Sequence, residues 1–409
     1  MKKTSIFLAA GLLSLVACEK MNPEKNLKPE DIPAPVPIEL TKAEGAVRDA
    51  SNAFGITTFQ GLYTAGGKQD VVFSPLSLSL ALSMTAEGAN GDTFKQFADV
   101  IGWGESTQEE IGAYYKKMVN GLVTADASVL FTSANSFWAA AELPLRKTYT
   151  KLLSDNYAAE SYAVDFKADG TLDKINRWCS DKTDGKIPRM LDQLNPQTKL
   201  MLINALLYKA PWGLTWEVKT GRTFNGATGK TKKDFLYVKD AKLVYSDRND
   251  YESVSVPYGN GLYVMDIVLP KAGKTLSEVL PKLTQEGFRS IYDAEVELYL
   301  PKFSMAYSSE EMLIPVLMEQ GLMLPFSDNA DFSGISEKSL KIDQVIQKTQ
   351  IDVTEKGTEF AAVTVVGMGY ASAIISTPPK VTIDLDRPFA YAIRETSSNT
   401  ILLLGTLSN

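Results

Sequence analysis

The residue types that most often perform catalysis are scarce in this chain. It has 409 residues, two cysteines and no histidine. Without histidine there is no Ser-His-Asp triad, no Cys-His pair and no histidine-ligated zinc site. The local signatures of other serine nucleophiles, Gly-x-Ser-x-Gly and Ser-x-x-Lys, are also missing from the sequence. The common routes to a nucleophilic hydrolase are therefore closed.

The remaining candidates for chemistry have simpler structural interpretations. The tripeptide Gly-Lys-Thr at 229–231 resembles the end of a phosphate-binding loop, but Phe224 stands where that motif requires its first glycine. Cys179 lies in a helical pattern, which favours a partly buried and inert thiol. Carboxylates are numerous, yet no pair stands out as a glycosidase acid and base. We therefore predict that the protein is not an enzyme and needs neither a metal nor another cofactor.

The most unusual stretch of the sequence runs from residue 352 to residue 389. Its first part, Glu355 to Glu359, is charged and contains Gly357, as a strand end or hinge requires. Residues 360–377 carry no charge, and this run is longer than an ordinary strand of ~3 to 10 residues. It could be a buried hairpin, a membrane span, or a long loop able to become a strand. Glycines and serines argue against the span, which requires ~20 mainly apolar residues.

The loop interpretation is supported by a family resemblance. The segment Glu355-Lys356-Gly357-Thr358-Glu359-Phe360-Ala361-Ala362-Val363-Thr364 is similar to the hinge of the serpin reactive-centre loop, except that alanine is usual where Phe360 stands. Further serpin-like motifs follow in family order, and they are Phe73-Ser74-Pro75-Leu76-Ser77, Ala134-Asn135 with Phe137, Ile175-Asn176-Arg177-Trp178, Asn204-Ala205 with Tyr208, Lys209 and Trp212, Leu300-Pro301-Lys302-Phe303, Ala330 to Ile335, and Arg387-Pro388-Phe389.

The resemblance implies a fold and a mechanism. The fold is the α+β serpin fold, with mixed β-sheets, a helical N-terminal half and an exposed reactive-centre loop at about residues 355–379. The mechanism is suicide inhibition, in which a protease cuts the loop and is trapped when the loop enters the central sheet as an added strand. The residues expected to form the hinge are Glu355, Gly357, Thr358, Glu359, Phe360, Ala361 and Ala362.

Phe360 departs from the family pattern at a position that matters for insertion. In an inserted strand it would share a face with Thr358, Ala362 and Thr364, and the family pattern turns that face inward. Overfilling a packed core costs ~1 to 3 kcal/mol. Either a pocket opposite Phe360 accommodates the ring, or insertion is slow and the protein is a non-inhibitory surface binding protein that proteases cut as a substrate.

The scissile bond determines which proteases the loop attracts. The usual family distance from Glu355 leads to the bond between Ala371 and Ser372, which suits elastase-like enzymes. Tyr370, Met368 and Ile375 are the alternatives, and the first two suit chymotrypsin-like or cathepsin-like enzymes. We expect serine proteases as partners, together with some cysteine proteases. No arginine or lysine lies between residues 360 and 377, so trypsin-like proteases are expected to be poor targets.

A second departure from the family concerns pH. Gln347-Lys348 stands where serpins often have His-Lys. Glutamine keeps the hydrogen bonds of a neutral histidine but does not titrate near neutrality. We therefore expect opening of the central sheet to lack a histidine pH switch.

The N-terminus indicates export. Residues 1–18 combine a basic start, an apolar run and a cysteine, as a signal peptide does. The sequence Leu15-Val16-Ala17-Cys18 resembles the lipobox of bacterial lipoproteins, so Cys18 is predicted to be lipidated. Residues 19–39 are polar and proline-rich, which favours a tether. Residues 40–409 are predicted to form a single serpin domain, anchored by lipid at the outer membrane or the cell surface.

Charge and periodicity complete these predictions. The net charge of −7 disfavours nucleic acid as a partner. The active form is expected to be a monomer, with loop–sheet polymers as a hazard of the uncharged loop.

Helical spacing predicts helices over 43–63, 77–87, 93–101, 108–122, 145–156, 172–183, 276–285 and 309–321. β-rich runs are predicted over 129–137, 200–208, 253–269, 295–303, 390–394 and 401–406.

Overall fold

Most of the helices lie in the first half of the chain. The structure, a computed structural model, describes residues 34–358 and 378–409. Within these ranges the helices are α1 (Lys42–Ala65), α2 (Pro75–Ala86), α3 (Gly91–Ile101), α4 (Gln108–Thr124), α5 (Lys147–Tyr157), α6 (Thr171–Lys182), α7 (Leu276–Val279), α8 (Gln285–Phe288) and α9 (Leu313–Glu319).

Strands dominate the second half. They are β1 (Val72–Phe73), β2 (Leu130–Ala140), β3 (Glu160–Val164), β4 (Leu200–Pro211), β5 (Glu217–Asn225), β6 (Lys230–Asp247), β7 (Tyr251–Tyr258), β8 (Tyr263–Pro270), β9 (Tyr292–Pro301), β10 (Phe303–Ser308), β11 (Gln344–Ile346), β12 (Lys348–Thr354), β13 (Gly357–Thr358), β14 (Lys380–Asp384), β15 (Phe389–Glu395) and β16 (Thr400–Leu407).

Local sequence signals account for several helix boundaries. Helices α1 and α4 begin with capping boxes, in which a threonine and the glutamate three residues later satisfy each other's backbone amides. Ser74 caps α2, and Pro75 occupies its first turn. The prediction of one helix over 276–285 is wrong, because α7 passes into a 3-10 turn at Leu280–Lys282 before α8 begins. Pro281 in that turn cannot continue an α-helical hydrogen-bond ladder.

The strands form two sheets. The nine-stranded sheet has the order β1-β16-β15-β8-β7-β6-β9-β14, with β5 paired to β6. The predicted β-rich run over 253–269 forms the hairpin of β7 and β8. The seven-stranded sheet has the order β10-β12-β13-β4-β2-β3, with β11 beside β4. We call this second sheet the central sheet, because the candidate site lies in it.

Helix α2 holds the two sheets together. Every residue of α2 is buried, and the helix contacts β16 of one sheet and β4 of the other. A helix that is buried on all sides belongs in an interior position of this kind. The Ser74 hydroxyl at its N-terminus donates a 2.6 Å hydrogen bond to the Leu402 carbonyl. Among the residues that the structure describes, no helix is both long and apolar enough to cross a bilayer.

Candidate functional site at the strand hinge

The candidate site is the hinge at the end of β12. The chain turns at Glu355 and Lys356 and returns as β13, which lies between β12 and β4 and is antiparallel to both. Thr358 is opposite Val353 on one side and Ala210 on the other. The first residues of the hinge are thus already a short central strand, with neighbours on both edges.

Gly357 is required by the geometry of this turn. Its φ of 141° lies in a region that side chains other than glycine's rarely adopt. A Cβ at this position would lie 2.1 Å from the Ala210 carbonyl oxygen and 2.8 Å from the Pro211 Cα. Both obstructing atoms belong to the backbone of β4, so no side-chain movement would relieve the clash. Only glycine lets the hinge approach β4 this closely.

Thr358 points into the interior and ends a chain of aromatic contacts. Its hydroxyl lies 2.6 Å from the hydroxyl of Tyr258, and its side chain is buried. The Tyr258 ring stacks on Trp212 with a 4.4 Å centroid separation. The Trp212 Nε1 donates a 2.8 Å hydrogen bond to the Thr354 carbonyl at the end of β12. These contacts join β4, β12 and β13 at the hinge end of the central sheet.

An ion pair secures the turn from outside. The Lys302 Nζ lies 2.6 Å from the Glu355 Oε2, joining the loop before β10 to the hinge. The hydrogen bond from Lys302 lowers the pKa of the Glu355 carboxyl below its usual value. A lowered pKa means that the pair stabilises the hinge above the pKa of the unfolded chain, and that this contribution is lost as pH falls through the folded pKa. Both side chains are partly exposed, which limits the stabilisation to less than ~1 kcal/mol.

Reversing this charge is expected to release the hinge. In Glu355→Lys two ammonium groups would face each other, so the turn should detach from Lys302. We expect amides of β12 and β13 to exchange hydrogen for deuterium a few-fold faster, on the order of 1 kcal/mol of local opening. Glu355→Gln is the matched control and should show a smaller increase. Unchanged exchange in Glu355→Lys would show that the pair does not hold the hinge.

In the described part of the chain, β4 and β12 do not pair directly with each other. A narrow cleft separates them, lined by Leu206 and Leu207 on one side and by Gln350 and Ile351 on the other. At the far end of the cleft, β11 pairs with β4 in parallel. The residues that the structure describes thus place β11 and β13 at the two ends of the β4 edge.

Gln347, between β11 and β12, anchors this edge to α2. Its amide makes a pair of hydrogen bonds with the backbone of Ser74, donating to the carbonyl at 3.0 Å and accepting from the amide at 2.8 Å. Gln347 is buried and neutral at every relevant pH. This link itself is therefore independent of pH.

Comparison with known proteins assigns the family. Residues 49–409 match the family model described as Serpin (serine protease inhibitor). The chain belongs to the serpin family. Members of this family are mostly protease inhibitors rather than enzymes, and some are non-inhibitory.

Similar proteins align over most of this chain. Iripin-8 of Ixodes ricinus is 29% identical over 385 residues, covering 90% of this chain and 95% of its own. Serpin-Z2A of Triticum aestivum is 33% identical over 374 residues, covering 83% of this chain and 90% of its own. The thermophilic serpin Tengpin in its native state is 28% identical, with a TM-score of 0.79 over 92% of this chain and 97% of its own. The predicted α+β serpin fold is confirmed.

The structure describes three of the seven candidate hinge residues. It places Glu355 in the turn and Gly357 and Thr358 in β13. The remaining candidates lie outside the described residues, and they are Glu359, Phe360, Ala361 and Ala362 of the hinge, Met368, Tyr370, Ala371, Ser372 and Ile375 around the reactive bond, and Cys18.

The structure also bears on the two other motifs considered for chemistry. Cys179 is buried in α6, and burial raises the pKa of its thiol to about 12, so it holds its proton at neutral pH. Lys230 and Thr231 begin β6 and pair with β5. An extended strand of this kind does not present successive amides to a phosphate. Within the described ranges no cluster of acidic or cysteine side chains could hold a metal ion.

Three residues that matter to the site carry no sequence signal for their contacts. Lys302 belongs to a family motif that does not indicate its pairing with Glu355. Tyr258 lies in an ordinary apolar run. Glu87, which accepts a hydrogen bond from Tyr157, stands at the end of a predicted helix. In each case the partner is far away in sequence, so no local pattern could have signalled the contact.

Proposed function

We propose that this serpin is a suicide inhibitor of serine proteases with elastase-like or chymotrypsin-like preference, and of some cysteine proteases. The observation that carries the proposal is β13, a hinge strand already lying between β4 and β12 and antiparallel to both. A strand that continued in this register would follow the cleft between β4 and β12. The sequence beyond it is uncharged from 360 to 377, as a strand entering a sheet interior requires.

The covalent step follows ordinary acyl transfer. The protease nucleophile, a serine hydroxyl or a cysteine thiolate, attacks the carbonyl carbon of the reactive bond. The peptide bond breaks, its nitrogen leaves as a new amino terminus, and an ester or thioester joins protease to serpin. Insertion of the loop then competes with hydrolysis of that bond. Fast insertion traps the acyl-enzyme, whereas slow insertion releases active protease and a cut serpin.

Specificity would come from the residue that supplies the acyl group. Ala371, followed by Ser372, is the first candidate and suits an enzyme with a small pocket. Tyr370, Met368 and Ile375 are the alternatives. Each is apolar or aromatic, which matches elastase-like and chymotrypsin-like pockets.

A gel experiment tests the proposal. Purified protein would be mixed with elastase and with chymotrypsin, and the products separated under denaturing conditions. We expect an SDS-stable complex with at least one of them, and the mass of the released peptide identifies the reactive bond. Clean cleavage without a complex across a panel of serine and cysteine proteases would contradict inhibition.

The predicted protease specificity can be tested with trypsin. No lysine or arginine lies between 360 and 377, so the trypsin pocket has no cationic side chain to bind there. We expect trypsin to be trapped at least ~100-fold more slowly than the best target, measured as the second-order rate of complex formation. Introducing Ala371→Arg should raise the trypsin rate if Ala371 supplies the acyl group. Rapid trapping of trypsin by the unaltered protein would contradict the predicted specificity.

A second candidate function is a non-inhibitory surface binding protein. In the register of β13, Tyr208 and Ile351 are the residues two positions beyond Ala210 and Val353, so an inserted Phe360 would have to fit between them. Tyr208 is buried against the rings of Tyr258 and Tyr263. Phe360→Ala discriminates between the two functions, because it should restore trapping if the ring alone obstructs insertion.

We also propose that the protein is exported and lipid-anchored through Cys18. The lipobox-like sequence and the proline-rich tether at 19–39 support this. Immediately after the tether and at its end, the Val36 amide donates to the Ala125 carbonyl and Ile38 is buried, so this part of the chain is fixed to the domain. Cys18→Ser in the full chain should shift the protein from the membrane fraction to the soluble fraction, and unchanged fractionation would reject the anchor.

A further inference from the structure

Glu87 carries a half-buried carboxyl group at the point where α2, α4 and α5 meet. It follows the last residue of α2, and its Oε1 accepts a 2.9 Å hydrogen bond from the Tyr157 hydroxyl of α5. Helix α4 approaches with Gly112, where a Cβ would lie only 2.5 Å from the Glu87 Oε1. Among the described residues, no cation offsets this burial. Burial therefore raises the pKa of Glu87 from 4.5 to about 7.

The groups around Glu87 are polar but uncharged. Helix α5 presents Tyr157, Asn156 and Tyr149, and the Tyr149 hydroxyl is occupied by the Met84 carbonyl at 2.7 Å. Helix α4 presents Gln108, whose amide donates to the carbonyls of Ala86 and Ala89. The segment before β11 contributes Ile335, which packs on Gly88. In the part of the chain that the structure describes, a negative charge on Glu87 thus has a hydroxyl donor but no ion-pair partner.

A line of hydrogen bonds leads from this junction to the central sheet. The Tyr157 carbonyl, at the end of α5, accepts a 3.1 Å hydrogen bond from the Asn135 side chain of β2. The Asn135 Oδ1 accepts a 2.6 Å bond from the Asn204 Nδ2 of β4. The two asparagines are directly opposite each other in the β2–β4 register. Tyr157 therefore joins Glu87 to the strand that borders the cleft.

This line of hydrogen bonds ends at the side chain of Asn204. The Oδ1 of Asn204 is buried and has no hydrogen-bond partner among the described residues, although a buried acceptor normally has one. Asn204 lies one residue beyond Ile203, where the pairing of β4 with β11 stops. The polar line thus ends where the pairing of β4 with β11 stops.

We propose that Glu87 is a proton-controlled regulatory site for separation of β4 from β12. Protonated Glu87 is accommodated in the junction and keeps α5 docked against β2. Deprotonation places an unpaired charge there and favours arrangements in which α5 loosens and the Asn135–Asn204 link breaks. The inference rests on the proposed function only in that sheet opening would serve inhibition, and its test requires no protease.

The sign of the pH dependence follows from linkage. A carboxyl whose folded pKa is raised contributes stability that is complete below the unfolded pKa and is lost as pH rises through the folded pKa. For Glu87 that window runs from 4.5 to about 7. Opening that hydrates Glu87 is therefore favoured at the alkaline end of the window. This dependence is independent of histidine and runs opposite to an acid-triggered transition.

Hydrogen–deuterium exchange of the full chain tests the proposal. Wild type and Glu87→Gln would be compared at the same pH, so that intrinsic exchange rates cancel. At about pH 8 we expect amides of β11 and β12 to exchange about tenfold more slowly in Glu87→Gln, and at about pH 5 we expect equal rates. Glu142→Gln, which alters an exposed carboxylate paired with Lys199, is the matched control and should leave these rates unchanged.

Each other outcome overturns the proposal. Equal exchange at pH 8, or the same difference at both pH values, would show that the charge of Glu87 does not control opening. A change confined to α5, with β11 and β12 unaffected, would show that the junction is not coupled to the cleft. Asn135→Ser tests the route, because it should remove the difference in β12 but keep it in α5. Should this variant not fold, the Glu87→Gln comparison decides alone.

Discussion

On the proposed inhibitory mechanism, replacing Gly357 with alanine is expected to convert this serpin largely into a substrate. The new Cβ would lie 2.1 Å from the Ala210 carbonyl oxygen, at a φ of 141° that alanine rarely adopts. The hinge strand would have to move away from β4, and insertion after cleavage would meet the same obstacle. A strain of ~1 to 3 kcal/mol slows insertion by roughly 5- to 150-fold.

The measurement is the partition between complex and cut serpin. A fixed amount of the target protease would be titrated with each variant, and the ratio of cut to complexed serpin read from denaturing gels. We expect that ratio to rise about tenfold in Gly357→Ala. Gly273→Ala is the matched control, because Gly273 also has a positive φ, but a Cβ there would meet no other described atom within 4 Å. Trapping by Gly357→Ala at the wild-type ratio would contradict the role of the hinge geometry.

Removing Asp266 is expected to cause the largest loss of stability. Asp266 of β8 is fully buried and accepts two hydrogen bonds from the Arg394 guanidinium of β15, at 2.7 and 3.2 Å. The Ser255 hydroxyl of β7 also donates to it. Asp266→Ala leaves the Arg394 charge buried without its carboxylate. Breaking a buried pair in this way costs about 3–5 kcal/mol.

Thermal and chemical unfolding of the uncut protein measure this loss. We expect Asp266→Ala to lower the Tm by several degrees and to lower the denaturant midpoint. The control is Asp99→Ala, which removes an exposed partner of Lys95 and should leave both unchanged. The double change Asp266→Leu with Arg394→Met should recover most of the stability, because it removes both charges. Equal midpoints for Asp266→Ala and Asp99→Ala would contradict the predicted energetics.

Several features of the fold were predictable because their causes are local. The start of α2 follows from Ser74-Pro75, since serine satisfies a free amide and proline suits a first turn. The predicted helices over 43–63 and 108–122 correspond to α1 and α4, and capping threonines mark both starts. Gly357 is identifiable as a hinge residue because a positive φ favours glycine wherever it occurs.

Other elements escape sequence-based prediction because their causes are distant. Strands β5 and β6 carry many lysines and threonines and present much of their surface to solvent, so hydrophobic periodicity is weak there. They exist because each completes the hydrogen bonds of the other, and because β6 also pairs with β9. Such pairing depends on backbone groups that every residue carries. Side-chain type alone could not reveal it.

The family, the hinge and the lack of a histidine can be read from the chain alone, because motif order and composition are properties of the chain. Which charged side chains form ion pairs depends on the folded structure. The fold pairs Asp266 with Arg394, 128 positions away, and Lys302 with Glu355. It places the half-buried Glu87 against Tyr157, with no cation from the described residues to offset the burial of its carboxyl group. Burial and long-range contact shift a group's pKa, and neither is encoded within a short stretch of sequence.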